Sequence, residues 1–141
     1  MNIGSFSVSL QVRHPTLAAH ELVNAFDLKA RISQDVGHPK MSPKGLVLTG
    51  VYSDSYCNFP FKKDKLDKII VTFEELVVHL RRRASVIDSI VKSGAKIRCA
   101  IGIFECDNYG FDINPDVSEV FSEFGISISL YIYAADGSDP S

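Results

Sequence analysis

Strict alternation of apolar and polar residues predicts three β-strands in this chain. Residues 6–13, 97–104 and 126–133 each place an apolar residue at every second position. Because successive side chains of a strand point to opposite faces, each segment would bury one face and expose the other. We expect the last of the three to be central in its sheet, or nearly so.

Apolar residues spaced three and four apart predict three helices. The first begins at Pro15 and lasts about three turns. The longest begins at Thr72, which forms a capping box with Glu75, and continues to Gly94. The last follows Asn114 and covers residues 115–124.

The order of these elements predicts one α+β domain over residues 1–135, with residues 136–141 as a flexible acidic tail. We expect a mostly antiparallel sheet with helices packed on one face, in a ferredoxin-like plan. Two similar helical segments, 21–28 and 119–126, indicate a weak internal strand-helix-strand repeat. Weaker patterns add strands near residues 46–52 and 111–113, whereas 33–45 and 53–68 are interpreted as loops.

The order of elements, together with a few proline, glycine and tyrosine positions, resembles a bacterial family known only as domain of unknown function 4279. The positions that carry the resemblance are Pro15, Leu17, Gly45, Gly125, Tyr131 and Tyr133. The chain has no tryptophan, which members of that family usually carry in the middle strand. The resemblance implies an α+β fold and a bacterial origin. It implies no catalytic residues, because the family has no established activity.

The composition is that of an ordinary globular domain: 141 residues, of which 45% are hydrophobic and 23% charged. The longest uncharged interior stretch, residues 124–135, is shorter than the roughly 20 residues of a membrane-spanning helix. We expect no transmembrane helix and no signal peptide. The three cysteines form no Cys-x-x-Cys pair, which favours free thiols and a cytoplasmic location.

No common catalytic or nucleotide-binding motif occurs in the sequence. The four histidines are scattered without ligand spacing, so we expect capping or solvated roles for them: His14, His20, His38 and His79. A calcium loop around residues 105–112 lacks the required alternation of oxygen ligands. We therefore expect no catalytic residue, no metal and no cofactor, although an enzyme built from dispersed residues stays open.

The two parts of the chain carry opposite charge. All 15 basic residues lie within residues 1–98, whereas residues 99–141 hold 8 acidic residues and no basic one. Six of these acids form a candidate docking face for a cationic partner protein: Glu105, Asp107, Asp112, Asp116, Glu119 and Glu123. The alternative interpretation is that Asp116 and Glu119 stabilise a helix start and that the basic part neutralises the others.

Two further surfaces are candidates. Residues 52–68 mix aromatic residues with lysines, a combination that can stack bases and hold phosphates. The sheet face opposite the helices offers hydroxyls, tyrosines and an arginine: Ser9, Gln11, Arg13, Ser129, Tyr131 and Tyr133. Each can equally be ordinary solvent-facing surface.

These features favour a non-catalytic binding protein, plausible as an immunity-type or antitoxin-type inhibitor that covers a partner protein. On this hypothesis we expect a protein partner rather than nucleic acid or a membrane, and a homo-oligomer stays open. The alternative is a small-ligand or nucleic-acid binding module that uses the open sheet face.

Overall fold

A computed structural model describes residues 4–106 and 110–133 of the chain. In these residues seven strands and four α-helices alternate along the sequence. The strands are β1 (Ser5–His14), β2 (Ile32–Gln34), β3 (Pro39–Met41), β4 (Val47–Val51), β5 (Ser55–Lys65), β6 (Lys96–Phe104) and β7 (Ser127–Ile132). The α-helices are α1 (Ala19–Phe26), α2 (Ile69–Arg82), α3 (Ala84–Lys92) and α4 (Pro115–Glu123), and a single 3-10 turn at Leu66–Lys68 leads into α2.

The main sheet has five strands in the order β2-β5-β1-β6-β7. All neighbouring strands are antiparallel except β6 and β7, which are parallel. The α+β class and the mostly antiparallel sheet are therefore confirmed. Strands β1, β2, β5 and β6 have the order and directions of the ferredoxin-like plan, and β7 extends that sheet as a fifth strand parallel to β6.

The helices cover one face of the sheet, as predicted. Strand β1 turns Phe6, Val8, Leu10 and Val12 to that face, and all four are fully buried or nearly so. Their partners across the sheet include Cys57 of β5 and alternate residues of β6. The packed face therefore follows directly from the alternation in the sequence.

The internal repeat corresponds to two strand-helix-strand units. In the second unit β6, α4 and β7 form a parallel crossover between neighbouring strands. In the first, β1 and β2 run in the same direction with β5 inserted between them, because both pair antiparallel with β5. The helices of both units end at equivalent left-handed residues, Asp27 with φ 51° and Gly125 with φ 65°.

The interpretation of residues 53–68 as a loop was wrong, because they contain β5, which pairs with β1 over its length. A bulge between Val8 and Ser9 opposite Phe61 changes the alternation of β5 midway. Pro60 and the lysine-rich end then obscure the strand pattern further. The aromatic residues of this segment thus belong to a sheet strand.

The first predicted loop also contains strands. Residues 33–45 include β3, which pairs only with β4 in a separate two-stranded sheet among the described residues. We call residues 37–52 the arm; it is anchored at its base where the Gly37 amide donates to the Tyr52 carbonyl at 2.9 Å. The predicted strand 46–52 therefore exists as β4, but outside the main sheet. Residues 111–113, predicted as a strand, have no regular secondary structure.

The first helix begins at Ala19 and not at Pro15. The cause is His14, whose Nδ1 accepts the amides of Thr16 at 3.1 Å and Leu17 at 3.0 Å and so shapes a turn before the helix. The helix itself is capped by Glu21, which accepts the Ala18 amide.

The long central helix is divided into α2 and α3 at Arg83. The Arg83 guanidinium donates to the carbonyls of Ala25 at 3.1 Å and Asn24 at 2.7 Å at the end of α1. Thr72 is not a cap, because α2 begins at Ile69 and the Thr72 hydroxyl donates to the Lys68 carbonyl within the helix. The last of the three predicted helices, α4, does begin as predicted, with the Asn114 side chain accepting the Val117 amide.

Strand β7 was predicted to be central, but it lies at the edge of the sheet. Its helix-side residues Ile128, Leu130 and Ile132 are 42%, 50% and 64% exposed. An edge strand and a central strand share the same alternation, so the pattern did not distinguish them. The tail predicted at residues 136–141 lies outside the described residues.

We expect His14 to make the stability of the fold depend on pH. Its Nε2 lies 2.8 Å from the Ser93 hydroxyl, which itself donates to the Ile90 carbonyl, so Nε2 carries the proton and Nδ1 accepts. Burial lowers the pKa of His14 below its ordinary 6.5, and Glu21 and the Ile90 carbonyl oppose the shift only in part. The unfolded chain therefore binds the proton more readily. The stabilisation is complete above pH 6.5 and is lost as the pH falls through the lower folded pKa.

The check is urea unfolding of wild type and His14→Gln at a series of pH values. We expect the variant to lose about 2 kcal/mol at neutral pH and to show a flatter pH dependence, since the buried hydrogen bonds are disrupted. The exposed His20→Gln is the matched control. Equal pH profiles for wild type and His14→Gln would contradict this role.

We also expect the three cysteines to differ in reactivity. Burial raises the pKa of Cys57 to about 11, with a further contribution from Asp35, and raises that of Cys99 to about 12. Cys106 is only partly buried. An alkylating reagent at mildly alkaline pH should label one thiol per folded chain and three after denaturation, as counted by mass spectrometry. Cys106→Ser should leave the folded chain unlabelled; rapid labelling of Cys57 or Cys99 would show the prediction wrong.

Candidate functional site

The face of the sheet that carries no helix, here called the open sheet face, gathers one of the two predicted sets of site residues. The register aligns Ser9 with Ala100 and Ser129, and Gln11 with Arg98 and Ser127. Arg13 and Tyr131 lie on the same face, in other rows. Tyr133 follows β7 directly and donates its amide to the Ile103 carbonyl. All six predicted residues therefore share one surface: Ser9, Gln11, Arg13, Ser129, Tyr131 and Tyr133.

Small side chains form a trough across this face. Ser7 lies opposite Gly102, and Ser9 lies opposite Ala100. The trough opens into a cavity of about 480 Å³ at the β1–β5 bulge. Its polar and aromatic lining comprises Ser7, Ser9, Arg31, Asn58, Phe61, Lys62, Lys63 and Phe104.

The Phe104 ring closes one end of the trough. It lies so close to Gly102 that an added Cβ there would be 2.9 Å from both the ring and the Ser7 hydroxyl, so a side chain at this position would displace one of them. The ring also stacks on Tyr133, with centroids 4.7 Å apart and planes 4° from parallel. The pair presents a flat aromatic wall beside the cavity.

Basic side chains surround the trough. Lys63 lies opposite Ser7 and Lys65 opposite Ser5, while Lys96 and Arg98 occupy the neighbouring rows of β6. Within the described parts of the chain, none of these four forms a salt bridge. Unpaired cations beside a concave surface create a positive potential that favours an anionic ligand.

A second cavity of about 240 Å³ lies further along the same face. It is bordered by Gln11, Arg13, Lys96, Arg98 and Ser127, among others. The Arg13 guanidinium lies 4.4 Å from the centre of the Tyr56 ring and 3.3 Å from the Asp54 carboxylate. This exposed pair is worth little on its own, so Arg13 remains free to exchange Asp54 for a ligand anion.

The acidic residues of the other predicted set are only partly brought together. Asp116, Glu119 and Glu123 lie exposed on α4, three and four residues apart, and we call them the acidic ridge. Glu105 follows β6 with φ 56°, Asp112 lies in the irregular segment before α4, and Asp107 is outside the described residues. None of the three ridge residues forms a salt bridge with another described residue.

The histidines have local structural partners or are exposed. His14 shapes the turn before α1, and the His79 imidazole donates to the Phe26 carbonyl at 2.6 Å instead of being solvated as predicted. His20 and His38 are exposed. Over residues 4–106 and 110–133, no three His, Cys, Asp or Glu side chains lie together as a metal site would need. Those same ranges contain no helix with the length and hydropathy to span a membrane.

Comparison of the chain with protein-family models, curated proteins and solved structures finds no match. The resemblance to domain of unknown function 4279 therefore stays a prediction. Any function for this chain has to be argued from its own residues.

The sequence reasoning missed the residues that make the open sheet face concave and basic. Arg31, Asn58 and Lys63 lie in segments interpreted as loops or left unassigned, yet they line the larger cavity. The sequence feature that points to Asn58 and Lys63 is the run of lysines and aromatic residues in 52–68, which by sequence alone is a separate candidate surface. The pairing of β5 with β1 merges these two candidate surfaces into one.

Proposed function

We propose that this protein is a binding protein whose open sheet face holds a nucleotide, either free or as a unit of single-stranded RNA. The observation that supports this most is the cavity of about 480 Å³ bordered by unpaired basic side chains and an aromatic wall. Its volume is within the range of about 300–1,000 Å³ that small-ligand sites usually have. The proposal thus follows the alternative hypothesis from the sequence rather than the leading one.

The lining residues divide into groups suited to the two halves of a nucleotide. Arg31 and Lys63 supply positive charge for a phosphate, and the hydroxyls of Ser7 and Ser9 can donate further hydrogen bonds. Phe104, stacked on Tyr133, offers an apolar surface for a planar base. This combination favours a ligand in which a phosphate group is close to a planar ring.

The second cavity supports binding of more than one nucleotide. Gln11 and Ser7 are four positions apart on β1. Gln11 pairs with Arg98, which borders the second cavity, and Ser7 pairs with Lys63, which lines the larger one. That offset corresponds to about 13 Å along the strand. A short single strand would reach the basic groups of both cavities, whereas one free nucleotide would occupy the larger cavity alone.

We expect the double variant Arg31→Ala/Lys63→Ala to bind a fluorescein-labelled uridine octamer roughly tenfold or more weakly than wild type, because two charge-assisted contacts are lost. The measurement is fluorescence anisotropy at low salt, with competition by uridine monophosphate, inorganic phosphate and polyphosphate. Arg81→Ala/Arg82→Ala, which removes two charges from helix α2, is the matched control. Phe104→Ala should weaken the octamer and the mononucleotide but not polyphosphate.

The competition distinguishes the possible outcomes. Full displacement by the mononucleotide identifies a free-nucleotide site, and binding of the octamer alone identifies a site for single strands. No binding by wild type at low salt would refute the proposal. An equal loss in the helix α2 control would do the same, because binding would then follow net charge and not the open sheet face.

The acidic ridge supports a second proposal, docking of a cationic partner protein as in an immunity-type or antitoxin-type inhibitor. The observation in its favour is that Asp116, Glu119 and Glu123 are exposed on one helix and lack a salt bridge to any described residue. Exposed charges of one sign steer and orient a partner of opposite sign.

For this second proposal, the triple variant Asp116→Lys/Glu119→Lys/Glu123→Lys should lose a salt-sensitive protein partner that wild type retains. The measurement is affinity capture from native lysate at low and high salt, with proteins identified by mass spectrometry. The neutral triple variant Asp116→Asn/Glu119→Gln/Glu123→Gln should retain part of the binding. Thermal unfolding of all three proteins separates lost binding from lost folding, and unchanged capture by the lysine variant would rule out the ridge.

A further inference from the structure

The arm exposes an unusual amount of apolar surface. Every residue of β4 is exposed, and Leu46 and Val47 are 68% and 71% exposed. Nine of the fourteen large apolar residues exposed in the described chain lie either on the arm or on β7. They are Met41, Leu46, Val47, Leu48 and Val51 on the arm, and Ile128, Leu130, Tyr131 and Ile132 on β7.

An isolated two-stranded hairpin is marginally stable in water. The only strands of the arm are β3 and β4, which pair with each other. The Ser42 amide donates a hydrogen bond to the Leu46 carbonyl near the tip, and the Gly37–Tyr52 hydrogen bond anchors the base. The base is firmly held, since Asp35 accepts the Ala19 amide at 2.7 Å and the Ser55 hydroxyl accepts the Val36 amide. An arm with a fixed base and apolar sides on both strands is suited to insertion against another surface.

Strand β7 provides a surface of matching character. It pairs with β6 on one side only among the described strands, so its outer edge presents backbone amides and carbonyls to an additional strand. Residues 127–132 contain no charged residue and no proline, the devices that normally protect a sheet edge. Ile128, Leu130 and Ile132 form a half-exposed apolar row on its helix side.

The arm and β7 of the same chain are at opposite sides of the main sheet and do not pair with each other. The arm follows β2 at one edge of the main sheet, and β7 forms the opposite edge, four strand spacings away. That distance is about 19 Å. In this arrangement the edge of β7 is left for the arm of a second copy, placed head to tail.

The charges of the two elements are complementary as well. Residues 36–53 contain two lysines, Lys40 and Lys44, and no acidic residue. Helix α4, which leads directly into β7, carries the acidic ridge. A copy that presents its arm to β7 would bring positive charge towards this negative helix, whereas two β7 edges facing each other would bring two acidic ridges together.

From these observations we propose that the arm of one copy adds to the edge strand β7 of a second copy and covers its apolar row. The interface is heterologous, because one copy contributes its arm and the other its edge. Repetition of the same contact extends the assembly or closes it into a ring. The proposal rests on different residues from those of the open sheet face and does not depend on the ligand there.

The test uses two variants of the full chain, each carrying a lysine at an exposed position. Val47→Lys disables the arm and leaves the edge intact, whereas Leu130→Lys disables the edge and leaves the arm intact. Size-exclusion chromatography with light scattering should show concentration-dependent self-association of wild type and its loss in each variant alone. An equimolar mixture of the two variants should form dimers and nothing larger, because one functional arm meets one functional edge.

Val86→Lys, at an exposed apolar position on α3, is the control and should assemble like wild type. Wild type that stays monomeric at every concentration would overturn the proposal. Dimers of Val47→Lys alone would overturn it in favour of pairing between two β7 edges. A mixture that remains monomeric, although wild type assembles, would equally refute the head-to-tail contact.

Discussion

The pairing of β1 with a strand on each side is the constraint on which the rest of the structure depends. All ten residues of β1 have a partner on β5, and nine have a partner on β6. One face of β1 supplies the centre of the core, and its other face supplies the floor of the open sheet face. At its end, His14 connects the sheet to the turn before α1 and to Ser93 beyond α3. The helical layer and the binding surface are thus positioned by the same strand.

Elements with a clean period were predictable from sequence, whereas those determined by distant contacts were not. Strands β1 and β6 and helix α4 follow from local alternation and a local cap. Strand β5 was missed because the bulge at Phe61 breaks its alternation. The division of the central helix depends on Arg83 reaching carbonyls of α1, 58 and 59 residues away. Such a contact leaves no periodic signal.

The same distinction holds for the candidate sites. Alternation along two strands placed Ser9 and Ser129 on one face, and their shared surface required only that the strands belong to one sheet. The concavity was not predictable, because it arises where Arg31, Asn58 and Lys63 meet β1. For the acids, helical spacing identified the ridge, whereas Glu105 and Asp112 depend on irregular backbone that has no period to interpret.

The bulge at Phe61 also determines how charge is distributed between the two faces of the protein. Before it, odd-numbered residues such as Cys57 and Phe59 point to the helices; after it, Lys62 lies on that side and pairs with Glu75, while Lys63 lies on the open sheet face. If Phe61 took a regular place in the ladder instead, the residues that follow it in β5 would exchange faces, with Lys62 on the open sheet face and Lys63 towards the helices. The electrostatic character of the cavity therefore depends on the bulge as much as on residue identity, and a comparison of related chains that ignored the bulge would misassign the basic residues.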